Sequence, residues 1–390
     1  MLFYTIYVIV LEDMERTTNY LAPPPIDLNA VNKIITDRSD IFTWQSIDIP
    51  LAVKDAIWSD KHKGITSEGL LDLVNESSGV SLAEIADFDL DAQENLGFIN
   101  SVRKGKLADG TEVIVRCHPR GVRNGYFPVE SLAAQTAVNN GLPSYKTYAI
   151  HELLDTDDIA FQVIEKCPGV AVERHLEANP QDADGLMVEA GATMARLHRI
   201  KVNGFGPFDN EQAKQGQLVG LHDSYAKSVR AGLANSLRAL LEYEVITTEQ
   251  SDAIDELFDE NSPLLQCEQG VLVHKDFADW NLLTDGNKIT GILDWDECAS
   301  GDPVVDIASW RSMAKPERVG KFLEGYFGEE PRPEHFDDKL ELLTLRCTID
   351  NMVQRVQRKR YAPADKMAKV AELVELGEAQ MAHAFEYFGI

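Results

Sequence analysis

Three acceptor side chains between residues 271 and 294 stand in the order that phosphoryl transfer requires. An apolar stretch, Val271 to Val273, delivers His274 and Asp276 to a loop, and Asn281 follows before a second apolar pair, Leu282 and Leu283. After a turn at Asp285-Gly286-Asn287, a further strand from Ile289 to Leu293 ends at Asp294. Neighbouring strands present their ends at one rim of a sheet, so the pattern predicts that Asp276, Asn281 and Asp294 converge. Phosphoryl transfer asks for little covalent chemistry from protein. It needs a carboxylate that orients a hydroxyl and takes its proton, and oxygen ligands that hold magnesium against the phosphates. A solvated turn rich in Asp and Asn is the plain alternative.

The spacing His-x-Asp-x-x-x-x-Asn, with a second Asp at the end of the next strand, matches the protein-kinase catalytic loop in arrangement. At these residues the chain resembles the aminoglycoside phosphotransferase and choline kinase family of small-molecule kinases. The family's His-Gly-Asp loop is His274-Lys275-Asp276 here, and its Asp-Trp-Glu-like segment is Asp294-Trp295-Asp296. Downstream, Gly301-Asp302-Pro303 through Asp306 is similar to the family's Gly-Asp-Pro-x-x-Asp run. The resemblance implies that Asp276 is the catalytic base, that Asn281 and Asp294 hold Mg2+, and that His274 and Asp306 buttress the loop. Lys275 departs from the common Gly, which permits dihedrals that Lys resists. The loop's spelling is nearest to hygromycin-type antibiotic phosphotransferases, and Asp279, Trp280 and Glu297 are the expected acceptor contacts.

These residues need a scaffold. Strands are predicted at Ser101 to Leu107 and Glu112 to Arg116, joined by a hairpin turn at Ala108-Asp109-Gly110. The entry to the first, Gly97 to Val102, resembles the family's glycine-containing phosphate loop, which implies that Asn100 and Ser101 cover the nucleotide phosphates. Neither Gly-x-Gly-x-x-Gly nor a Walker sequence occurs, which removes the main support for Rossmann and P-loop folds. Arg116 ends its strand where protein kinases carry Lys, and a guanidinium can grip phosphate oxygens in bidentate fashion. Its expected partner is Glu130, early in a helical run from Val129 to Asn139 that stops at Gly141. An ordinary surface pair is the alternative. Strands at 146–150 and 160–165 lead to a hinge, Glu165-Lys166-Cys167, expected to meet the nucleotide base through main-chain groups.

Helical periodicity dominates the remainder. Runs are expected at 186–200, 218–243, 248–259, 304–313, 316–326, 336–360 and 364–388. The first ends in His198, which the resemblance makes structural. From Glu244 to Glu268 there are eight acidic residues and no Lys or Arg. Such a run is either a solvated helix face or a carboxylate-lined site for a cationic acceptor. The basic cluster Arg355, Arg358, Lys359 and Arg360 suits a helix C-terminus. Before residue 83, a capped helix is expected at Thr66 to Asn75, and this preface is expected to pack on the body, with a regulatory or dimerising role as the alternative.

A chain of 390 residues with 44% hydrophobic residues can bury a large core. Its net charge of -27 argues against nucleic acid and anionic membrane as partners and would draw in cations, unless it serves only solubility. Five scattered cysteines indicate neither a disulfide framework nor a zinc site, and the cytoplasm is the expected compartment. The opening run Leu2 to Leu11 is too short to span a bilayer.

Together these features predict an α+β, bilobal protein-kinase-like fold: an N-terminal extension (1–82), a small antiparallel-sheet nucleotide lobe (83–167) and a larger, mainly helical lobe (168–390). The expected reaction moves the γ-phosphoryl of ATP or GTP, with Mg2+, to a hydroxyl of a small molecule such as an aminoglycoside-like antibiotic. A metabolite kinase and a non-catalytic nucleotide-binding regulator are the rivals.

Overall fold

The computed structural model describes residues 65–87, 100–118, 120, 126–153, 158–361 and 367–390. The Leu2 to Leu11 run and Gly97 to Ile99 lie outside the described residues.

The first lobe is a five-stranded antiparallel sheet in the order β1-β2-β3-β5-β4, made of β1 (Leu82–Asp87), β2 (Ser101–Leu107), β3 (Glu112–Cys117), β4 (Thr147–His151) and β5 (Phe161–Glu165). Val113, Val115, Phe161 and Val163 alternate along β3 and β5 onto one buried face, as period-2 patterning requires. Helix α1 (Ser67–Ser77) covers that face with Leu70 and Val74. Its start is set by Thr66, whose side chain accepts from the Gly69 N–H at 3.0 Å. Thus the end of the preface that the structure describes packs on the sheet. On the other face lies α2 (Phe127–Asn139), which begins with Pro128 and stops before Gly141 at φ 77.

The second lobe begins with β6 (Val170–Ala171), α3 (Val172–Ala178) and α4 (Ala183–Leu197), then β7 (Phe205–Phe208), α5 (Asn210–Lys214) and β8 (Gly220–His222). Helices α6 (Tyr225–Arg230), α7 (Leu233–Glu242) and α8 (Thr248–Glu260) precede the short strands β9 (Val271–Val273), β10 (Leu282–Thr284), β11 (Ile289–Ile292) and β12 (Ala299–Gly301). Helices α9 (Pro303–Met313), α10 (Val319–Phe327), α11 (Phe336–Tyr361) and α12 (Met367–Phe388) complete the lobe. Among the described residues no helix is long and apolar enough to cross a membrane.

The single helix expected over 218–243 is a strand and two helices instead. Gly220 lies against the Phe205 backbone in the β7–β8 pairing, and Gly232 breaks α6 from α7 at φ 76. The break is stabilised from a distance. Arg346 on α11 donates to Val229 O and Ala231 O, both at 2.8 Å, satisfying carbonyls that a continuous helix would have used. A second correction concerns the basic cluster: Arg355 is buried, with its Nη2 donating to Ser312 O at 2.9 Å, so it caps α9 rather than facing solvent.

One packing contact controls the site below. Helices α4 and α10 cross so closely that a Cβ on Gly191 would stand 2.0 Å from Phe322 O, and one on Gly325 would stand 1.9 Å from Val188 O. That approach brings His198, at the end of α4, to Tyr326 on α10, with 2.7 Å between His198 Nδ1 and the hydroxyl. Gly325→Ala must push the helices apart. It should cost about 3 kcal/mol, the upper range for overpacking, read as a lower midpoint in denaturant unfolding.

Candidate active site

The catalytic loop hangs from one carboxylate. Asp306, in the first turn of α9 and fully buried, accepts from the backbone N–H groups of His274 at 2.8 Å and Lys275 at 2.7 Å. His198 Nε2 reaches the same carboxylate at 3.1 Å. Burial pushes Asp306 up, but the hydrogen bond and charge of His198, then the hydrogen bond from the His274 backbone N–H, hold it below the ordinary carboxylate range. To satisfy both bonds the backbone turns through Lys275 at φ 64. A non-glycine residue pays roughly 1–2 kcal/mol for that conformation. Ser309 on α9 donates to Lys275 O and fastens the turn from the other side.

His274 itself is neutral. Its Nε2 faces Leu293 O at 2.9 Å, which can only accept, and its Nδ1 accepts from the Asp276 N–H at 3.3 Å. One ring nitrogen therefore carries the proton and the other does not. Burial lowers its pKa in agreement with that tautomer. The ring packs 4.7 Å from Trp295, whose indole N–H donates to Ser144 Oγ at 3.0 Å.

Asp276, Asn281 and Asp294 converge as their spacing requires. Asn281 Nδ2 donates to Asp276 Oδ2 at 2.6 Å and to Asp276 O at 3.0 Å, while Leu293 N–H donates to Asn281 O at 2.9 Å. Asp294 follows β11 at φ 61, a left-handed turn that aims its carboxylate back toward Arg116 of the first lobe. Burial raises the Asp276 pKa well above the usual range. The negative charges of Glu297 and Asp294 raise it further, against the Asn281 hydrogen bond and Arg358.

Arg116 joins the lobes. Its Nη1 meets Glu130 Oε2 at 2.6 Å and its Nη2 meets Asp294 Oδ1 at 2.8 Å. Glu130 is fully buried, so the pair is not a surface pair. Burial opposes the charge on Arg116, but Glu130 and Asp294 outweigh it and the guanidinium stays protonated. Gln162 on β5, which sequence reasoning missed, lies 3.5 Å from Arg116 and donates to Ser131 Oγ at 2.6 Å.

The remaining expected positions are less uniform. Asn100 Oδ1 is buried without a hydrogen-bond partner among the described residues, and Ser101 Oγ accepts from Arg103. At the hinge, Glu165 N–H donates to Lys146 O at 2.8 Å, so Glu165 cannot offer that donor to a base. Lys166 pairs with Glu112 at 2.8 Å, and Cys167 is buried, its thiol pushed up to about 12 by burial and Glu165. Asp279 is held by Arg318, a residue that no local signal connects to it, and burial raises its pKa against that cation. Trp280 is 38% exposed beside it. Glu297 lies in the turn after Asp294, within electrostatic reach of Asp276. In the acidic run, Asp255 and Asp259 pair with Arg230 at 2.8 and 3.2 Å.

A five-stranded sheet joined through Arg116, buried on Glu130, to Asp294 of a helical lobe that carries this loop defines a bilobal protein-kinase-like phosphotransferase fold. Residues 95–335 match the model of the phosphotransferase enzyme family (APH), and the chain belongs to that family. Its members are small-molecule phosphotransferases. Among solved structures, the fold is similar to a thermostable mutant of aminoglycoside phosphotransferase APH(4)-Ia in ternary complex with AMP-PNP and hygromycin B, with TM-score 0.57, 18% identity, and 80% of this chain and 98% of that chain covered. It is also similar to a putative fructosamine-3-kinase from Thermobifida fusca, with TM-score 0.57, 16% identity, and 81% and 100% covered. No curated protein matches the chain.

Two outcomes follow from the electrostatics. If Arg116 and Glu130 grip nucleotide as a unit, Arg116→Ala and Glu130→Ala should each weaken nucleotide binding, and the double variant should fall short of additivity by about 1 kcal/mol, measured by calorimetric titration. The second outcome concerns Asp276. Its pKa is higher in the folded protein than in the unfolded chain, so ionisation at neutral pH opposes folding. Asp276→Asn should therefore raise Tm by about 2 °C at pH 7. The gain should vanish as pH falls below the unfolded carboxylate value, where both states of the wild-type residue are protonated.

Proposed function

We propose that this protein transfers the γ-phosphoryl of ATP or GTP, with Mg2+, to a hydroxyl of a small molecule. The observation that carries the reading is the convergence of Asp276, Asn281 and Asp294 beneath the Arg116–Glu130 bridge. Asp276 is the base: it orients the acceptor hydroxyl and takes its proton, and its raised pKa suits that task. Arg116 holds phosphate oxygens, while Glu130 keeps the guanidinium aimed.

The residues fit a hard cation. Asn281 spends its N–H groups on Asp276, which leaves Oδ1 as its free type of ligand atom, and Asp294 supplies a carboxylate at the same rim. Mg2+ takes one or two protein oxygens together with phosphates and water, the number that Asn281 and Asp294 would supply. When bound, the ion neutralises charge that builds on the transferring phosphate.

For the acceptor, Trp280 offers an exposed aromatic face in the loop, Asp279 beside it in the chain is held by Arg318, and Glu297 lies within electrostatic reach of Asp276. The carboxylates around Asp276 favour a cationic, aminoglycoside-like acceptor. A metabolite acceptor draws its support from Arg318 and Arg358, which bring positive charge to Asp279 and Asp276. The cytoplasm, where ATP is available, is the proposed compartment.

Asp294→Ala should reduce ADP formation to below about a tenth of wild type, because a lost metal carboxylate removes several kcal/mol of charge stabilisation. The measurement is coupled ADP release across hygromycin B, a ketosamine, amino alcohols and sugars. Activity of the variant near wild type, with the acceptor that wild type prefers, would remove Asp294 from the metal site.

A further inference from the structure

Lys275, at the strained turn, borders a small cleft beside the loop. This cleft, about 50 Å³, is bordered by Tyr225, Ser228, Arg346, Cys347 and Asp350. It is far too small for a nucleotide and large enough for a side-chain tip or one or two waters. Arg346, Cys347 and Asp350 place α11 in the wall of the same cleft that Lys275 lines. Burial pushes the Cys347 thiol up to about 12, and Lys275 is the strongest influence pulling it down, with Asp350 acting upward beside it.

Asp350 is itself anchored. Its carboxylate pairs with Arg346 at 2.5 Å and accepts from Ser236 on α7 at 2.8 Å. Around the other end of the loop, Asn351 Nδ2 donates to Ser312 Oγ at 2.9 Å, Ser312 Oγ donates to Ser309 O at 2.7 Å, and Ser309 Oγ donates to Lys275 O. Helix α11 therefore approaches the loop by two routes, one through the α9 hydroxyls to the Lys275 carbonyl and one through the cleft to its side chain.

The geometry points to Lys275 as a positioning residue that ties the catalytic loop to α11 through this cleft and fixes where Asp276 stands. Glycine would meet the φ of 64 without strain. Lys here carries a conformational cost, and such cost persists where the surroundings over-determine the turn. The side chain does not touch the reacting atoms. Its effect passes through the Lys275 backbone to the adjoining Asp276.

The inference rests on Asp276 being the base, and two readouts separate the two readings. Lys275→Met keeps the chain length and the strain but removes the charge. Hydrogen exchange of the peptide spanning residues 271–281 should speed up by about tenfold in this variant, with Tm unchanged, as a local opening does. Turnover with Mg·ATP and the best acceptor of the panel should fall by about 10- to 100-fold, the range expected for a slightly misplaced catalytic group, while KM for Mg·ATP stays constant. Lys275→Arg should restore both. Lys275→Gly relieves the backbone, so a side chain without a role would leave this variant more stable and fully active; we expect it to be more stable and slow. Wild-type exchange and turnover in Lys275→Met and Lys275→Gly would overturn the assignment. Equal losses of Tm, exchange protection and turnover in Lys275→Met, without rescue by Lys275→Arg, would do the same. If the exchange response appears while wild type forms no ADP with any acceptor, the tether stands and the phosphotransfer reading fails.

Discussion

A fully buried carboxylate is tolerable only when its lone pairs are filled, and Asp306 meets that demand with the backbone of the very loop that carries Asp276. The remaining contact comes from His198, so the carboxylate joins α9, the end of α4 and the loop in one place. Because a backbone N–H cannot be repositioned without moving the chain, the two loop donors set the path of residues 274 and 275. That path forces the positive φ at Lys275 and sets where Asp276 stands against Asn281. The Gly191 and Gly325 crossing belongs to the same construction, since His198 and Tyr326 can meet only when α4 and α10 lie backbone to backbone.

The other organising element is the buried guanidinium of Arg116. Its two carboxylate partners come from different lobes, Glu130 on α2 and Asp294 after β11. Losing one partner would strand a charge away from water, which is costly. The arrangement holds the rim of the five-stranded sheet over Asp294. It also leaves a surplus of negative charge around Asp276, Asp294 and Glu297, a local conflict that function tolerates and stability does not favour. A bound cation would relieve it, and that is the expected state of a working phosphotransferase site.

The sequence by itself determined what is local. Alternating apolar residues set β3 and β5, Thr66 marks a helix start, and Gly141 marks an end, because side-chain period and capping act within a few residues. The order of His274, Asp276, Asn281 and Asp294 was equally legible, since short strands on either side leave little freedom in where their ends fall. Even the Arg116–Glu130 pair could be read from one strand followed by one helix. Tertiary structure decided what depends on partners far along the chain. Arg346 stabilises the break between α6 and α7 from more than a hundred residues away, with a sequence separation of 117 to Val229. Arg318 takes Asp279, Asp294 closes on Arg116 at a separation of 178, and Arg355 turns inward to cap α9. A charge reads alike in sequence whether it faces water or a buried carbonyl, because the cost of burial and the partner that offsets it exist only once the helices have packed.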